Sequence, residues 1–269
     1  MPRRTSSRAA RWLDIAVATA LLLIAWEVLG RTEAFGARAF PPVTEVLEGI
    51  PYVLTTDTTR FWHHLWITLS EVLRGFALAV VIGGTSGLIV ALLPRVGRAT
   101  MPIFIAWEVI PKVALVPLLI VALGYGHGTE VTIAATMGFF AIFLNTYGGI
   151  ARADRRAIKL MRSLGASRFQ LLWRYQLPQA LPTIFAGLKI GLSFAFLGAI
   201  LGQLLTLQDG VGFTITAYRN QLRMDLAYAA TIIVALVGTA LLLCLELLER
   251  LAIPWFDSHD RAADAAAMG

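Results

Sequence analysis

The chain has 269 residues, of which 57% are hydrophobic and only 15% are charged, and its mean hydropathy is +0.70. A water-soluble domain rarely combines so much apolar content with so little charge, so these values exclude an ordinary soluble enzyme. The net charge of +6 could indicate nucleic-acid binding, but in so apolar a chain it is typical of basic residues on one side of a membrane. The single cysteine, Cys244, excludes an internal disulfide, and its Leu-rich surroundings indicate packing.

Six apolar stretches are long enough to span a bilayer, whose hydrocarbon core takes roughly 20 helical residues. Arginines precede the first stretch, which favours an uncleaved span over a secretory signal because further spans follow. The third stretch contains Pro111 and Pro117, which predict a kinked helix that lines something polar or protein. The predicted spans cover residues 15–29, 65–93, 103–123, 131–150, 184–205 and 226–248.

The segments between the spans carry their own patterns. Residues 42–50 have the pattern of a short amphipathic helix that lies on the outer surface. Residues 124–130 and 206–226 are predicted outer loops, and the glycines of the first are not a nucleotide-binding fingerprint because no strand precedes them. A stripe of small residues in the fifth span indicates close helix packing. Its members are Gly187, Gly191, Ala195, Gly198 and Gly202.

Residues 151–182 form the longest polar interval within the apolar sequence, with seven basic residues and one acid, Asp154. Apolar residues recur at helical spacing before Gly165, and a second short periodic run follows it. Glycine readily adopts the left-handed conformation that ends helices. The interval is therefore predicted to be a helix, a glycine turn and a second helix that stops at Pro178. It is either a basic cytoplasmic loop or a docking element for a cytoplasmic partner.

The distribution of charge predicts the orientation. Six spans place both termini on the side of residues 151–182, and fifteen basic residues fall on that side against five on the other. Cytoplasmic loops are enriched in Lys and Arg, so this side is predicted to be cytoplasmic. The expected organisation is a cytoplasmic segment 1–14, a transmembrane domain 15–250 and a cytoplasmic tail 251–269, in a multi-pass protein of the cell inner (plasma) membrane.

The central interval resembles the cytoplasmic loop motif of ABC importer permeases, the binding-protein-dependent transport inner-membrane components. That motif reads Glu-Ala-Ala, three residues, Gly, nine residues and Ile-x-Leu-Pro. Here Gly165 is followed after nine residues by Tyr-Gln-Leu-Pro at 175–178, and Lys159, Leu160 and Met161 occupy the first three positions. Over roughly residues 40–245 the chain is similar to permeases of the nitrate, sulfonate, taurine and bicarbonate group. This similarity rests on residues 61–69, 74–76, 111, 115–119, 124, 143–149 and 209–213.

The resemblance implies an all-α integral membrane protein with about six transmembrane helices, the type I ABC importer permease fold and a cytoplasmic coupling helix. It implies as partners ABC ATPase subunits, a periplasmic or lipoprotein solute-binding protein, a second permease copy in a homodimer, and membrane lipid, but no nucleic acid. The residues implied to couple to the ATPase are Lys159, Leu160, Met161, Arg162, Gly165, Ala166, Ser167, Leu177 and Pro178.

The chain is not expected to be an enzyme. Neither Gly-Lys-Ser nor Gly-Lys-Thr occurs, so no phosphate-binding loop can form. We therefore expect no cofactor on this chain, with ATP and Mg²⁺ used by the partner ATPase. No catalytic residue and no metal site are expected, because the sequence has no His-Glu-x-x-His motif. His63 and His64 are interpreted as interfacial neighbours of tryptophans rather than as metal ligands.

Charged and polar side chains inside spans are costly and are therefore candidates for the translocation path. Glu108 and Lys112 suit an i,i+4 ion pair, which leaves two interpretations: mutual neutralisation, or a lysine that faces the cavity and attracts an anionic substrate. The spacing of Glu71 and Arg74 favours a structural pair. The remaining candidates are Asn145, Ser193 and Gln203, the last standing where many relatives carry glutamate.

Three classes of function compete. The first is the permease subunit of an ABC importer that moves a small anion inward, such as a sulfonate, taurine, nitrate or bicarbonate. In its alternative form the same machinery imports a neutral heterocycle or vitamin precursor. A stand-alone ion-coupled transporter predicts inverted repeats and paired mid-membrane carboxylates, neither of which is visible. An intramembrane enzyme requires a nucleophile with a base, or a metal motif, within the spans.

Overall fold

The computed structural model describes residues 8–32, 39–55 and 58–254, and within these ranges every regular element is a helix, as predicted. Two π-helical turns, Val80–Gly84 and Leu172–Gln176, lie within longer helical runs. Residues 1–7 of the predicted segment 1–14 and residues 255–269 of the predicted tail 251–269 lie outside the described residues. The helices are α1 (Arg8–Arg31), α2 (Val43–Thr55), α3 (Thr58–Ala79), α4 (Thr85–Leu92), α5 (Pro94–Val109), α6 (Lys112–Leu123), α7 (His127–Ala151), α8 (Arg155–Ser163), α9 (Arg168–Leu171), α10 (Leu177–Thr206), α11 (Val211–Asn220) and α12 (Met224–Ala252).

Five continuous helical runs of the described chain are long and apolar enough to cross a membrane, and a bent pair of helices makes a possible sixth. The pair is α5 and α6, which meet at 90°. Proline disfavours helical geometry in the preceding residue, and Ile110 is accordingly extended (φ −65°, ψ 125°). The predicted kink therefore occurs at Pro111, whereas Pro117 lies inside α6. The five runs are Leu13–Arg31, Arg60–Leu92, His127–Ala151, Arg168–Thr206 and Met224–Ala252.

Helix α7 forms the centre of the bundle, with α3 and α4 against one part of its surface and α10 against another. The small residues of α10 permit this approach, as predicted. A Cβ atom added at Gly187 would lie 2.4 Å from the Cβ atom of Asn145, and one at Gly198 would lie 2.9 Å from the Cα atom of Ala134. Larger side chains at these positions would separate α10 from α7.

Both predicted outer loops contain helix. The loop predicted at 206–226 includes α11, and the loop predicted at 124–130 ends where α7 begins, at His127. Helix α11 was missed because its buried residues include a glycine and two threonines between Val211 and Tyr218, which gives no clear apolar periodicity. Thr214 and Thr216 are buried, and each hydroxyl donates a hydrogen bond to the backbone carbonyl four residues earlier. These bonds satisfy the hydroxyl groups without water.

The amphipathic helix predicted at 42–50 is present as the longer α2. Its buried residues, Val46, Gly49 and Val53, share one face, and α2 packs against α12. Cβ atoms at Gly49 would lie 3.3 Å from the side chains of Leu226 and Ala229. The apolar face of α2 therefore contacts another helix of the same chain.

The prediction that the second helix of the central interval stops at Pro178 is wrong. The helix begins at Arg168, passes through the π-helical turn and continues as α10 to Thr206. In the π-helical turn the backbone N–H of Leu177 donates to the carbonyl of Leu172, five residues earlier. Pro178 follows this wider turn and has no N–H to donate. The backbone hydrogen-bonding pattern therefore changes there, but the helix does not end.

Candidate coupling surface and translocation path

The first helix of the central interval has well-defined ends. Asp154 caps its N-terminus by accepting a 2.8 Å hydrogen bond from the backbone N–H of Arg156. At its C-terminus the N–H of Ala166 donates to the carbonyl of Met161, and the N–H of Gly165 donates to the carbonyl of Arg162, both at 3.0 Å. This pair of bonds is a Schellman motif, and the φ of +83° at Gly165 is the left-handed conformation that it requires.

The helix after this turn begins with a capping box. The Oγ atom of Ser167 accepts a hydrogen bond from the N–H of Gln170 (3.2 Å), and the Oε1 atom of Gln170 accepts one from the N–H of Ser167 (2.9 Å). Ser-x-x-Gln is a recognisable N-terminal signature, which a search for helix-start signals would have found. Gly165 and Ser167 together therefore fix the angle between α8 and the long helix that follows.

The same segment exposes large apolar side chains, of which the sequence analysis selected only Leu160. Leu160, Leu164, Phe169 and Trp173 are between 54% and 78% exposed, and the rings of Phe169 and Trp173 lie 5.9 Å apart. We call these four residues the apolar coupling patch. Exposed arginines lie on the same two helices, and exposed apolar side chains beside polar ones are typical of a protein-binding surface.

The other predicted coupling residues lie around this patch. Lys159, Arg162 and Ser167 are exposed, like Leu160. Met161 and Ala166 are half-buried on either side of the turn. Leu177 and Pro178 are half-buried at the start of α10, one helical turn beyond Trp173. The exposed members are thus open to contact by a partner.

Glu108 and Lys112 form the predicted ion pair, with the lysine Nζ atom 2.5 Å from Oε2 of Glu108. The pair bridges the break between α5 and α6, since Glu108 ends one helix and Lys112 begins the next. The Nζ atom also lies 5.7 Å from the ring centroid of Phe140 on α7. The charge of Lys112 is thus balanced within the chain.

The structure brings Glu108 and Lys112 together and places the other three path candidates in separate environments. Asn145 is half-buried, donates to the carbonyl of Ala141 and packs against Gly187. Ser193 is exposed and donates to the carbonyl of Lys189. Lys189 itself pairs with Glu249 of α12 at 2.5 Å, a contact between distant helices that no spacing in the sequence indicates.

Gln203 is fully buried at the junction of three helices. Its Oε1 atom accepts hydrogen bonds from the hydroxyl of Thr68 (3.0 Å) and from the N–H of Gly212 (3.1 Å), and its Nε2 atom donates to Oε2 of Glu71 (2.6 Å). These bonds join α10 to α3 and α11. A Cβ atom at Gly210 would lie 2.2 Å from the Cδ atom of Gln203, so the glycine there is required by the close approach.

The predicted pairing of Glu71 with Arg74 is wrong. Glu71 faces the interior of the bundle and is 0% exposed, whereas Arg74 is exposed and donates to the carbonyl and the hydroxyl of Ser70. Glu71 instead contacts Gln203 and His127, whose Nδ1 atom lies 2.6 Å from Oε1 of the carboxylate. Spacing along one helix could not reveal these partners, because they belong to α10 and α7.

A helical bundle with several membrane-length runs, and with a basic, partly apolar segment between two of them, indicates an integral membrane protein. Residues 75–257 match the family model of the binding-protein-dependent transport system inner membrane component. The chain belongs to this family and is the permease component of an ABC importer, as its resemblance indicated. The family is one of transport permeases, and it implies ATPase and binding-protein partners.

Similar proteins cover nearly the whole chain. The riboflavin transport system permease protein RibX of Chloroflexus aurantiacus is 32% identical over 256 residues, which is 94% of this chain and 95% of that protein. The taurine transport system permease protein TauC of Escherichia coli is 28% identical over 249 residues, 91% and 90% of the two chains. A chain of the MetNI methionine ABC transporter in an inward-facing conformation superposes with a TM-score of 0.57 at 17% identity, covering 71% of this chain and 98% of that one. This superposition supports the type I permease fold.

Proposed function

We propose that two copies of this chain form the membrane pathway of an importer, and that two ATPase subunits dock on the segment 151–182 from the cytoplasm. The observation that carries this proposal is the apolar coupling patch, which is exposed and held at a fixed angle by the Schellman turn and the capping box. Exposed apolar residues on a membrane-external segment are costly unless a partner covers them. In this proposal both termini are cytoplasmic, and a solute-binding protein delivers the solute from outside.

The helices connect the docking segment rigidly to the pathway. Helix α8 follows α7 after only three residues, and α9 continues into α10 as one run of 39 residues to Thr206. Helices α7 and α10 are also the most extensively packed pair in the chain. A displacement of the docking segment, produced when ATP closes the ATPase pair, would therefore move these two spans together as one body.

Reconstitution tests the energy source of this proposal. Proteoliposomes that contain the chain, its ATPase and its binding protein should take up solute only when ATP is present on the ATPase side. Vesicles that contain the chain alone should show neither ATP hydrolysis nor uptake. Uptake by the chain alone under a proton or sodium gradient would instead support a secondary transporter.

The proposed solute is a small organic or inorganic anion, such as a sulfonate, taurine, nitrate or bicarbonate. This proposal is supported by the similarity to permeases of that group, TauC among them. A neutral heterocycle is a second candidate, because Glu108 already balances Lys112 and because RibX is similar to the same extent. Uptake of labelled taurine and of labelled riboflavin in the complete system, with mass spectrometry of the ligand on the co-purified binding protein, separates the two classes.

A further inference from the structure

Three side chains with metal-binding atoms meet between α3 and α7. They are Glu71 on α3 and His127 and Glu130 in the first turn of α7, and their ligand atoms all lie within 4.8 Å of one another. The Nδ1 atom of His127 lies 2.6 Å from Oε1 of Glu71 and 3.8 Å from Oε2 of Glu130. The imidazole and the two carboxylates are therefore close enough together to share one ion, and His127 and Glu71 lie at hydrogen-bond distance from each other.

One of these oxygen atoms has no partner. Glu130 is 2% exposed, and its Oε2 atom makes no hydrogen bond within the part of the chain that the structure describes. A buried carboxylate oxygen without a donor is costly, so such an atom in a folded protein indicates a missing partner. This oxygen atom without a hydrogen bond, Oε2 of Glu130, is the one that faces His127.

The charge of the cluster indicates which kind of partner is missing. Glu71 and Glu130 are both buried, and no lysine or arginine of the described residues forms an ion pair with either. Two ionised carboxylates beside a neutral imidazole would carry a charge of −2. A divalent cation with a neutral imidazole balances both carboxylates.

Hydrogen bonds from a third helix orient the two carboxylates. Gln203 of α10 donates to Oε2 of Glu71 at 2.6 Å, and Thr206 of α10 donates to Oε1 of Glu130 at 2.7 Å. Each bond occupies one oxygen and directs the other towards His127. Residues that hydrogen-bond to metal ligands in this way hold those ligands in position. The His127 side chain is half exposed, so the cluster can be reached from outside the chain.

We propose that Glu71, His127 and Glu130 bind one divalent transition-metal cation of the Zn²⁺ or Mn²⁺ class. Imidazole with carboxylates suits these ions, whereas Ca²⁺ prefers six to eight oxygen ligands. The bound cation accepts electron pairs from the Nδ1 atom, from Oε1 of Glu71 and from Oε2 of Glu130, and water completes its coordination. It ties α3 to α7 and, through Gln203 and Thr206, to α10. No spacing motif reveals the site, because Glu71 and His127 are 56 residues apart.

Titration of Zn²⁺ into the full-length, chelator-treated permease in detergent tests this site, with calorimetry and metal analysis as readouts. The wild type should bind one Zn²⁺ per chain. Glu130→Gln and His127→Ala should each weaken binding by at least about tenfold, and Thr206→Val, which retains all three ligands, should weaken it roughly tenfold. His63→Ala removes an exposed histidine of α3 outside the cluster and should bind like the wild type.

Two outcomes overturn the proposal. The first is a wild-type chain that binds neither Zn²⁺ nor Mn²⁺ stoichiometrically. The second is Zn²⁺ binding that survives unchanged in Glu130→Gln and His127→Ala, which would place the metal elsewhere. Because a ligand variant could misfold, each variant is first required to elute as the wild-type species in size exclusion. The visible spectrum of Co²⁺ bound to the wild type provides a second readout, and its persistence in His127→Ala would also count against the site.

Discussion

The side-chain amide of Gln203 donates a 2.6 Å hydrogen bond to the carboxylate of Glu71, and this bond joins α10 to α3 where both residues are fully buried. The oxygen of the same amide accepts one hydrogen bond from the N–H of Gly212, at the N-terminus of α11, and another from the hydroxyl of Thr68 on α3. One side chain therefore connects three helices, two of which belong to separate membrane-length runs. A buried polar group of this kind stabilises a structure only while all of its partners are present.

Replacing this amide should destabilise the bundle. Gln203→Leu leaves a buried carboxylate oxygen and a buried N–H without partners, at a cost of about 1–3 kcal/mol for each group. The unfolding temperature in detergent should therefore fall by about 4 °C or more, which thermal unfolding followed by intrinsic fluorescence measures. The matched control is Gln221→Leu, the same substitution at an exposed position. Equal unfolding temperatures for the two variants would show that Gln203 contributes no net stability.

The Glu108–Lys112 pair has two interpretations that a double variant separates. If the pair only neutralises itself at the break between α5 and α6, Lys112→Met leaves Glu108 uncompensated and lowers solute uptake. Adding Glu108→Gln then removes the uncompensated charge, so the double variant should recover uptake. We expect this recovery because the two groups are 2.5 Å apart. If uptake of an anion stays as low in the double variant as in Lys112→Met, the lysine charge itself acts on the solute.

The sequence predicts correctly those structural features that a residue and its chain neighbours determine. Pro111 bends the α5–α6 pair, and Gly165 takes the left-handed conformation that its place between two periodic runs requires. Features that depend on distant segments were missed or misassigned. Arg74 lies within reach of Glu71 along α3, but burial directs Glu71 to α7 and α10 instead. Lys189 and Glu249 likewise meet only because α10 packs against α12.

The charge asymmetry predicts the orientation of the chain, and cysteine labelling tests this prediction. Cys244 is exposed and is first replaced by alanine. Ser167→Cys, in the docking segment, should react with a membrane-impermeant maleimide only after the cells are broken. Asp209→Cys, between α10 and α11, should react in intact cells. Labelling of Ser167→Cys from outside would invert the topology and remove the basis for docking from the cytoplasm.

The apolar coupling patch should supply much of the affinity for the ATPase. Truncation of a central aromatic residue at an interface often costs about 2 kcal/mol or more, which is roughly a thirtyfold loss of affinity. Trp173→Ala should therefore weaken ATPase capture strongly while membrane levels stay normal. Trp66→Ala is the control, since Trp66 of α3 is also exposed but lies outside the docking segment. Similar capture by both variants would indicate that the partner binds a different surface.

The turn at Gly165 provides the sharpest test of coupling. Its φ of +83° penalises any residue with a Cβ atom by roughly 1 kcal/mol, and a β-branched residue by more, although no neighbouring atom would contact that Cβ. Gly165→Val should therefore leave the spans folded, because their packing is distant, while changing the direction of α8 relative to α10.

We expect this variant to insert and dimerise normally but to capture the ATPase poorly or to fail in solute uptake at matched membrane levels. Gly165→Asn is the matched control, since asparagine tolerates the left-handed conformation and should retain most function. Arg162→Ala or Arg168→Ala should cost less, because exposed charges contribute little individually. Full capture and normal uptake in Gly165→Val would mean that the angle fixed by this turn is not needed to transmit ATPase closure.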